Sequence, residues 1–372
     1  DYIGLHGIWS WISDANRAVI VDFIRRKLKV GGVLYISYNT LPGWSVFAPM
    51  RHLMTQHAEV VGADGAGIVS RIDGAIDFTE KLLAVNPAYA RANPQIKDRI
   101  EKLKSHNRHY LAHEYFNADW EPMHFSDMNK WLSGAKLNYA CSANLLDSVE
   151  KLNLTKDQSE FLKTISDATF RETTRDFLLN QQFRKDYWVK GPRKINPTAQ
   201  SLAFKSIRLL LLAPADTISL KVGTVAGEAS LNENVYKPVL AYLADHKVRT
   251  VAQIEEAVKS HNVTYQQLVQ AVVVLTSLGH SGIAQDEAIA NKRLKSTQAL
   301  NTHLMELARS SNEITFLASP VTGGGHYVSR FHQMFLLARH QGHKAPQQWA
   351  AFTWGWLKEQ GQRLVKQGQP LN

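Results

Sequence analysis

Two β-rich stretches decide the fold that this sequence predicts: Asp1-Tyr2-Ile3-Gly4-Leu5-His6-Gly7 and Val33-Leu34-Tyr35-Ile36-Ser37-Tyr38-Asn39. Between them, Ser13 is predicted to cap a helix over about 14–28, and Gly31-Gly32 is predicted to end it. A strand, a helix and a second strand in close succession predict a right-handed parallel unit. Ligands of such sheets bind beyond the carboxyl ends of the strands, so the site is expected there.

The predicted helix carries apolar side chains at helical spacing. They are Val19, Ile20, Phe23, Ile24 and Leu28. We expect these five side chains to form one buried face against the sheet.

Residues 45–121 have a helical pattern, and alternating helix and strand patterns return over 122–190. The strands predicted there cover Leu137–Ala143 and Phe183–Val189. The sequence therefore predicts an α/β domain built from 1–44 and 122–190, which a helical insertion over 45–121 interrupts.

Residues 191–372 are predicted to form a mainly helical C-terminal region with 19 basic and 11 acidic side chains. Within it, 234–285 has the pattern of a winged helix: three short helices and a possible hairpin. The third of these helices, about 264–278, contains no Lys or Arg, whereas contacts with phosphates require them. A nucleic-acid partner is therefore disfavoured, and the excess of basic charge fits either an acidic protein partner or a solubilising face.

Composition narrows the class of protein further. The chain has 372 residues, with 43 Lys+Arg and 33 Asp+Glu, which suggests two or three domains. Cys141 is the single cysteine, so an internal disulfide framework and a cysteine-rich zinc site are excluded, and its apolar strand predicts an inert core residue. No apolar stretch reaches the roughly 18–20 residues that a membrane span needs, so a soluble, cytoplasmic protein is expected.

Polar and aromatic residues follow both of the first two strands. They are His6, Gly7 and Trp9 after the first strand, and Tyr38, Asn39, Pro42 and Trp44 at the end of the second. The Trp and Tyr rings fit two interpretations equally well. They could wall an apolar slot for a ligand, or they could fill the top of the sheet.

Two further motifs are interpreted as structural. His109 and His113 share a helix face beside Glu114, but the order His-Glu-x-x-His of zinc peptidases is not present, so no metal is predicted. The glycine-rich loop 62–67 follows a helix instead of a strand. A flexible connector is therefore expected there instead of a phosphate-binding loop.

The motifs around both strands resemble one family closely. Asp-Tyr-Ile-x-x-His-Gly near the start, and Gly-Gly-Val-Leu-Tyr-Ile-Ser-Tyr-Asn-Thr-x-Pro-Gly-Trp over 31–44, resemble class I S-adenosylmethionine-dependent methyltransferases with a methyltransferase regulatory region. That group includes bacterial protein-lysine methyltransferases. The similarity continues, more loosely, in the runs 110–114, 122–127, 137–140 and 180–184.

The resemblance implies a partial Rossmann-like methyltransferase sheet, S-adenosylmethionine as cofactor and a protein lysine side chain as methyl acceptor. His6 and Gly7 then lie beside the cofactor. Tyr38, Asn39, Pro42 and Trp44, with Trp9, then wall the acceptor pocket. Tyr110, His113 and Glu114 then belong to the insertion that closes over this pocket, and the insertion is also implied in contacts of a homodimer.

The sequence also departs from the family pattern. The glycine-rich loop after the first strand of the sheet, and the acidic residue that holds the cofactor ribose, have no counterpart here. They are expected upstream of Asp1, because the chain opens on a strand without an initiator Met. We therefore expect a methyltransferase fragment; the alternative is a non-catalytic interaction or regulatory module derived from a methyltransferase.

Overall fold

The computed structural model describes residues 1–62, 65, 67–224, 227–366 and 369–370. Three residues of the predicted connector, 63, 64 and 66, lie outside the described residues. The chain divides into two compact units. The first consists of Asp1–Ile195 with Lys221–Leu231, and the second of Asn196–Leu220 with Asn232–Asn372.

The first unit contains a four-stranded mixed sheet. Its strands are β1 Tyr2–Leu5, β2 Val33–Asn39, β3 Leu137–Ser142 and β4 Phe183–Lys190. They lie in the order β1-β2-β4-β3. β1 and β2 are parallel, and β4 runs antiparallel to both of its neighbours. The predicted parallel unit is confirmed, and the α/β class with it.

Eleven helices are labelled in the described part of the first unit. They are α1 Asp14–Lys27, α2 Leu41–Trp44, α3 Ala48–Val60, α4 Ile68–Ala84, α5 Ala88–Ala92, α6 Ile96–Lys104, α7 Arg108–Glu114, α8 Phe125–Ser133, α9 Glu150–Asn153, α10 Lys156–Lys163 and α11 Ala168–Leu178. Helices α3–α7 enclose a core of their own, separate from the core beneath the sheet. The strands Lys221–Thr224 and Gly227–Ser230 form an antiparallel hairpin that clusters with this unit.

Helix α1 begins as predicted, but the predicted buried face is only partly right. Ser13 Oγ accepts a hydrogen bond from the Asn16 N–H at 3.4 Å. Ile24 and Leu28 are buried, whereas Val19 is 67% exposed and Phe23 is 47% exposed. The prediction was wrong for these two, because they lie on the row of α1 that points away from the sheet.

The buried face of α1 includes a charged residue near the start of the helix. The Arg17 side chain is buried and donates to the Trp9 carbonyl at 3.2 Å. It also forms ion pairs with Asp14 and Glu121. These acceptors compensate for the burial of the guanidinium. A search for apolar residues at helical spacing could not predict that Arg17 is buried.

The two rows of α1 give a direct test of this correction. We expect Ile24→Ala to lower the free energy of unfolding by about 2–5 kcal/mol, because it opens a cavity under the sheet. Phe23→Ser is expected to change it by no more than about 0.5 kcal/mol, because much of that ring already contacts water. Urea unfolding of both variants measures the difference, and an equal loss in both contradicts the observed packing.

Cys141 is a second correction. The prediction of an inert core residue was wrong, since the thiol is free and exposed. It lies on β3, the edge strand of the sheet, next to an irregularity where the pairing with β4 shifts between Tyr139 and Cys141. An apolar strand at the edge of a sheet exposes side chains that a central strand would bury.

The second unit is mainly helical. Its helices are α12 Pro197–Lys205, α13 Glu233–Leu243, α14 Val251–Val258, α15 Tyr265–Ser277, α16 Glu287–Leu307, α17 Arg330–His340 and α18 Pro346–Glu359. Short antiparallel strands pair Phe316–Ala318 with Gly325–Tyr327, and Val365–Lys366 with Gln369–Pro370. Among the described residues, no helix is both long and apolar enough to cross a bilayer.

The segment 234–285 contains the three predicted helices, which are α13, α14 and α15. The predicted hairpin after them is not formed. Instead, Ser281–Ile283 pairs with Arg208–Leu211, which also pairs with Arg249–Thr250. Ser281–Ile283 thus pairs with a strand that precedes α13, and local sequence patterns could not predict this distant pairing.

Candidate functional site

The exits of β1 and β2 lie side by side and are joined by hydrogen bonds. Gly7 adopts a positive φ of 65°, which glycine accepts without strain, and its N–H donates to Ser37 Oγ at 2.8 Å. The His6 ring stacks on Tyr35, and His6 Nδ1 lies 2.8 Å from the Tyr35 hydroxyl. The two predicted cofactor-side residues are therefore fixed to β2.

A second link joins the loop after β1 to the end of β2. Ser10 Oγ accepts from the Asn39 N–H at 2.8 Å, and the Asn39 carbonyl accepts from the Met123 N–H at 3.0 Å. The Asn39 side chain is 4% exposed, and its Nδ2 donates to none of the described residues. An unpaired buried donor is costly, so Asn39 offers an unused hydrogen bond at this edge of the sheet.

The segment that follows β2 consists of Thr40 and the one-turn helix α2 and is called here the loop after β2; the turn before β4 holds it in place. The Thr40 N–H donates to the Gln182 carbonyl at 3.0 Å, and Thr40 Oγ1 donates to the Gln181 carbonyl at 2.6 Å. The Gly43 N–H also donates to Gln181, at 2.9 Å. A Cβ on Gly43 would lie 2.5 Å from the Gln182 Cα, so only glycine permits this close approach.

Behind this loop lies a buried group of ion pairs, here called the Arg184 cluster: Arg184, Glu172, Asp176 and Asp186. The guanidinium contacts Asp176 at 2.6 Å, Asp186 at 2.9 Å and Glu172 at 3.0 Å. The Tyr38 hydroxyl donates to Asp186 Oδ2 at 2.7 Å. One cation thus holds three carboxylates and anchors the end of β2.

Burial perturbs the acidity of this cluster. Desolvation raises the pKa of Asp176 to about 6, although Arg184 opposes the shift. Burial likewise raises the pKa of Asp186, and it raises the pKa of Tyr38 well above its usual value. Tyr38 therefore stays protonated and acts as a hydrogen-bond donor, not as a base.

The raised pKa of Asp176 predicts a specific pH dependence. The pKa of Asp176 in the folded chain, about 6, exceeds the ordinary value of 3.8, so the folded chain binds this proton more tightly than the unfolded chain. The contribution of this proton to the unfolding free energy is therefore full below pH 3.8 and is lost as the pH rises through 6. Relative to Asp176→Asn, the wild-type chain is expected to lose about 1–3 kcal/mol of unfolding free energy over that window. Urea unfolding of both proteins at several pH values tests this, and a difference that does not vary with pH contradicts it.

The predicted wall residues at the exits are buried: Trp9, Tyr38, Asn39, Pro42 and Trp44. Trp9 packs edge-on against Trp131 in the core beneath the sheet, with ring centroids 5.9 Å apart. Trp44 packs against Trp120 at 5.1 Å, in the core of helices α3–α7. The structure thus divides these rings between two interiors.

The three predicted residues of the insertion all lie on α7. His113 approaches the loop after β1, where its ring centroid is 5.5 Å from that of Trp11. His113 Nδ1 is 3.1 Å from Glu114 Oε1. Tyr110 is 48% exposed and packs beside His106 instead. Among the described residues, no group of three His, Cys, Asp or Glu side chains could hold a metal ion.

A cavity of about 450 Å³ opens next to the loop after β2. Its lining is Leu41, Glu121, Pro122, Met123, Asp127, Lys130 and Trp131. Two of its carboxylates are already paired, Glu121 with Arg17 and Asp127 with Lys130. Sequence reasoning missed Glu121, Lys130 and Trp131 as candidates, although the run 122–127 among the family motifs pointed to this segment.

A family model described as a predicted methyltransferase regulatory domain matches residues 107–190. The Synechocystis protein sll1526 is 41% identical over 371 residues, which cover 100% of this chain and 72% of that protein. The chain belongs to the same family as this Synechocystis protein. The Rickettsia prowazekii protein RP789 is 27% identical over 214 residues, which are 56% of this chain and 37% of that protein.

Two solved structures resemble this chain in fold. PKMT2 from Rickettsia typhi in complex with AdoHcy aligns with a TM-score of 0.65 and 16% identity, over 100% of this chain and 76% of that chain. A second structure of PKMT2 aligns with a TM-score of 0.62 and 16% identity, over 100% of this chain and 75% of that chain. The chain therefore shares the PKMT2 fold.

The regulatory-domain match contains the whole Arg184 cluster. It also contains β3 and β4, so it supplies two of the four strands of the sheet. Through Tyr38 and Asp186, the matched region is bonded directly to the end of β2.

Proposed function

We propose that this chain is part of an S-adenosylmethionine-dependent methyltransferase that methylates lysine side chains of proteins. The observation that carries the proposal is the joined edge of β1 and β2, where Gly7 bonds to Ser37 and Ser10 bonds to Asn39. Sheets of this kind bind ligands at such edges. The shared fold with PKMT2, whose structure was solved with AdoHcy, supports the cofactor.

The residues at this edge fit such a cofactor. A Cβ on Gly7 would meet nothing within 4 Å, so the backbone at this turn is open to a ligand. His6 is exposed beside it, and Asn39 Nδ2 and Trp11 Nε1 are buried donors with no partner among the described residues. When bound, S-adenosylmethionine supplies an electrophilic methyl group on a sulfonium. We assign His6 and Gly7 to its binding.

The acceptor side is proposed to lie along the loop after β2. A lysine ammonium must lose its proton before its nitrogen can attack, and burial among aromatic side chains lowers its pKa. Asn39 and Pro42 shape this wall directly. Trp9, Tyr38 and Trp44 support it from behind, since each is packed in an interior.

The insertion is proposed to complete the pocket through α7. The contact of His113 with Trp11 brings this helix to the loop after β1. Either the Glu114 carboxylate or the His113 imidazole is proposed to receive the lysine proton, and Tyr110 is proposed to contact the incoming substrate. Alignment of donor and acceptor and the exclusion of water then supply most of the rate enhancement.

The wider organisation is proposed on the same basis. Residues 1–44 and 122–190 form the methyltransferase part, 45–121 the insertion, which also contributes to a homodimer, and 191–372 a C-terminal region. The three helices within 234–285 support a winged-helix-like arrangement there. The protein substrate is proposed to be met in the cytoplasm.

A second candidate function is a non-catalytic interaction or regulatory module. The observation that favours it is the family model, which matches 107–190 and therefore leaves β1 and β2 outside the match. In this case the sheet edge would bind no cofactor, and the regulatory-domain region would carry the activity of the protein.

Titration calorimetry with AdoHcy separates the two candidates. We expect the natural gene product that contains these residues to bind AdoHcy with one site per chain. His6→Ala is expected to weaken binding about tenfold, which corresponds to one lost hydrogen bond. His52→Ala, on the exposed face of α3, is the control and should bind normally. Absence of AdoHcy binding would contradict the methyltransferase and favour the module.

A further inference from the structure

A cavity of about 540 Å³ lies within the region matched by the regulatory-domain model, away from the exits of β1 and β2. Its lining comes from the edge strand β3, the segment that contains α9, and helices α10 and α11. Small-molecule sites typically occupy about 300–1,000 Å³. The size of the cavity is therefore suitable for a metabolite-sized ligand.

Two arginines in this cavity have hydrogen-bonding capacity that the protein does not use. Arg171 and Arg175 lie one turn apart on α11, and both are half-buried. Arg171 Nη1 donates to the Ile165 carbonyl at 3.1 Å, and Arg175 Nη2 donates to the Asp147 carbonyl at 2.6 Å. Within the described part of the chain, neither guanidinium forms an ion pair. Each guanidinium has five N–H donors, so most of them remain available.

The carboxylates of the same cavity are already engaged. Asp147 accepts from Ser142 Oγ at 2.7 Å, and Glu150 accepts from Ser159 Oγ at 2.6 Å. Glu172 is held within the Arg184 cluster. Each of these carboxylates thus has a donor of its own, whereas the two guanidiniums keep N–H donors that the cavity does not use.

We propose that Arg171 and Arg175 bind a small oxyanion, the carboxylate or phosphate group of a metabolite, in this cavity. The planar guanidinium presents paired N–H donors that match either group, and two guanidiniums one helical turn apart hold one anion from two sides. Lys163 also lines the cavity. Its ammonium group is paired with Glu160 at 2.8 Å, so it is not assigned a contact with the anion. The site does not depend on methyl transfer.

Calorimetry of the full chain with inorganic phosphate and, separately, with succinate tests this site. Binding of only one probe identifies that oxyanion as the ligand chemistry, and binding of both identifies the shared chemistry. Arg171→Gln and Arg175→Gln are each expected to weaken binding at least about tenfold. Arg25→Gln, which removes an exposed arginine paired with Asp22, is the matched control and should leave the affinity unchanged.

The Lys variants keep the test independent of folding. Arg171→Lys and Arg175→Lys preserve the charge but remove the paired donors, so affinity should fall while the thermal unfolding midpoint stays close to that of the wild type. Failure of the wild-type chain to bind either probe overturns the proposal. So does wild-type affinity in both Gln variants, or binding of lysine amide, a cation, in place of the two anions.

Discussion

Arg184→Gln is expected to lower the free energy of unfolding by about 3–5 kcal/mol. The substitution removes the cation that pairs with Asp176, Asp186 and Glu172. Asp186 is 1% exposed and Asp176 is 3% exposed, so water cannot replace the lost partner. Burial already raises the pKa of both carboxyls. Without Arg184 they can become neutral, but the hydrogen bonds that Arg184 donates to them are lost.

Urea unfolding followed by tryptophan fluorescence measures this loss. Arg25→Gln is the control, because the Arg25 side chain is 54% exposed and paired with Asp22 at the surface, where such pairs contribute at most about 1 kcal/mol. A loss below about 1 kcal/mol in Arg184→Gln would show that the buried ion pairs do not hold β2 and β4 together.

Gly43→Ala is expected to lower both the stability of the chain and the proposed methyl transfer. The added methyl group would meet the Gln182 backbone at 2.5 Å, so the loop after β2 and the turn before β4 must move apart. The bond from the Gly43 N–H to the Gln181 carbonyl is then lost. We expect a loss of about 1–3 kcal/mol in unfolding free energy, as for other overpacked sites. If the proposed function holds, displacement of the proposed acceptor wall is expected to reduce methyl transfer about a hundredfold.

Gly355→Ala provides the matched control for this prediction. Gly355 lies inside α18, where an added Cβ meets nothing within 4 Å, so the substitution is expected to stabilise the chain by about 0.4–1 kcal/mol. Unfolding and methyl-transfer assays on both variants give the comparison. Wild-type methyl transfer in Gly43→Ala would mean that the loop after β2 does not position the acceptor.

Local signals in the sequence predict the elements near the chain start well. Ser13 has the side chain and position of a helix cap, and the β-rich runs on either side of α1 are short and bounded by glycine. The pairing of β1 with β2 follows from their connection through one helix. These features depend on residues close together in the sequence.

Features that depend on distant residues could not be predicted. The bond between Tyr38 and Asp186 spans 148 residues, and no local pattern marks either side chain as buried. The position of β4 between β2 and β3 likewise depends on pairing across the whole domain. The faces of α1 and of β3 were misjudged at Val19, Phe23 and Cys141, because apolar character alone does not say which side meets the sheet.

The candidate site shows the same division. His6, Gly7 and Asn39 were predicted from their place at the strand exits, and the structure brings these exits together through Gly7 and Ser37. Trp44 was predicted, like Asn39, for the wall of the acceptor pocket, but α2 directs Trp44 into the core of the insertion. Aromatic residues near a strand end fit a pocket and a core equally well until the packing partners are known.

Methyl transfer itself tests the central proposal most directly. The natural gene product that contains these residues is incubated with S-adenosylmethionine labelled in its methyl group and with a lysine-rich protein acceptor. The proposal predicts labelled methyl-lysine in the acceptor, identified by mass spectrometry, and no label when the acceptor lysines are blocked beforehand. Failure to transfer label to lysine under conditions in which AdoHcy binds would contradict a protein-lysine methyltransferase.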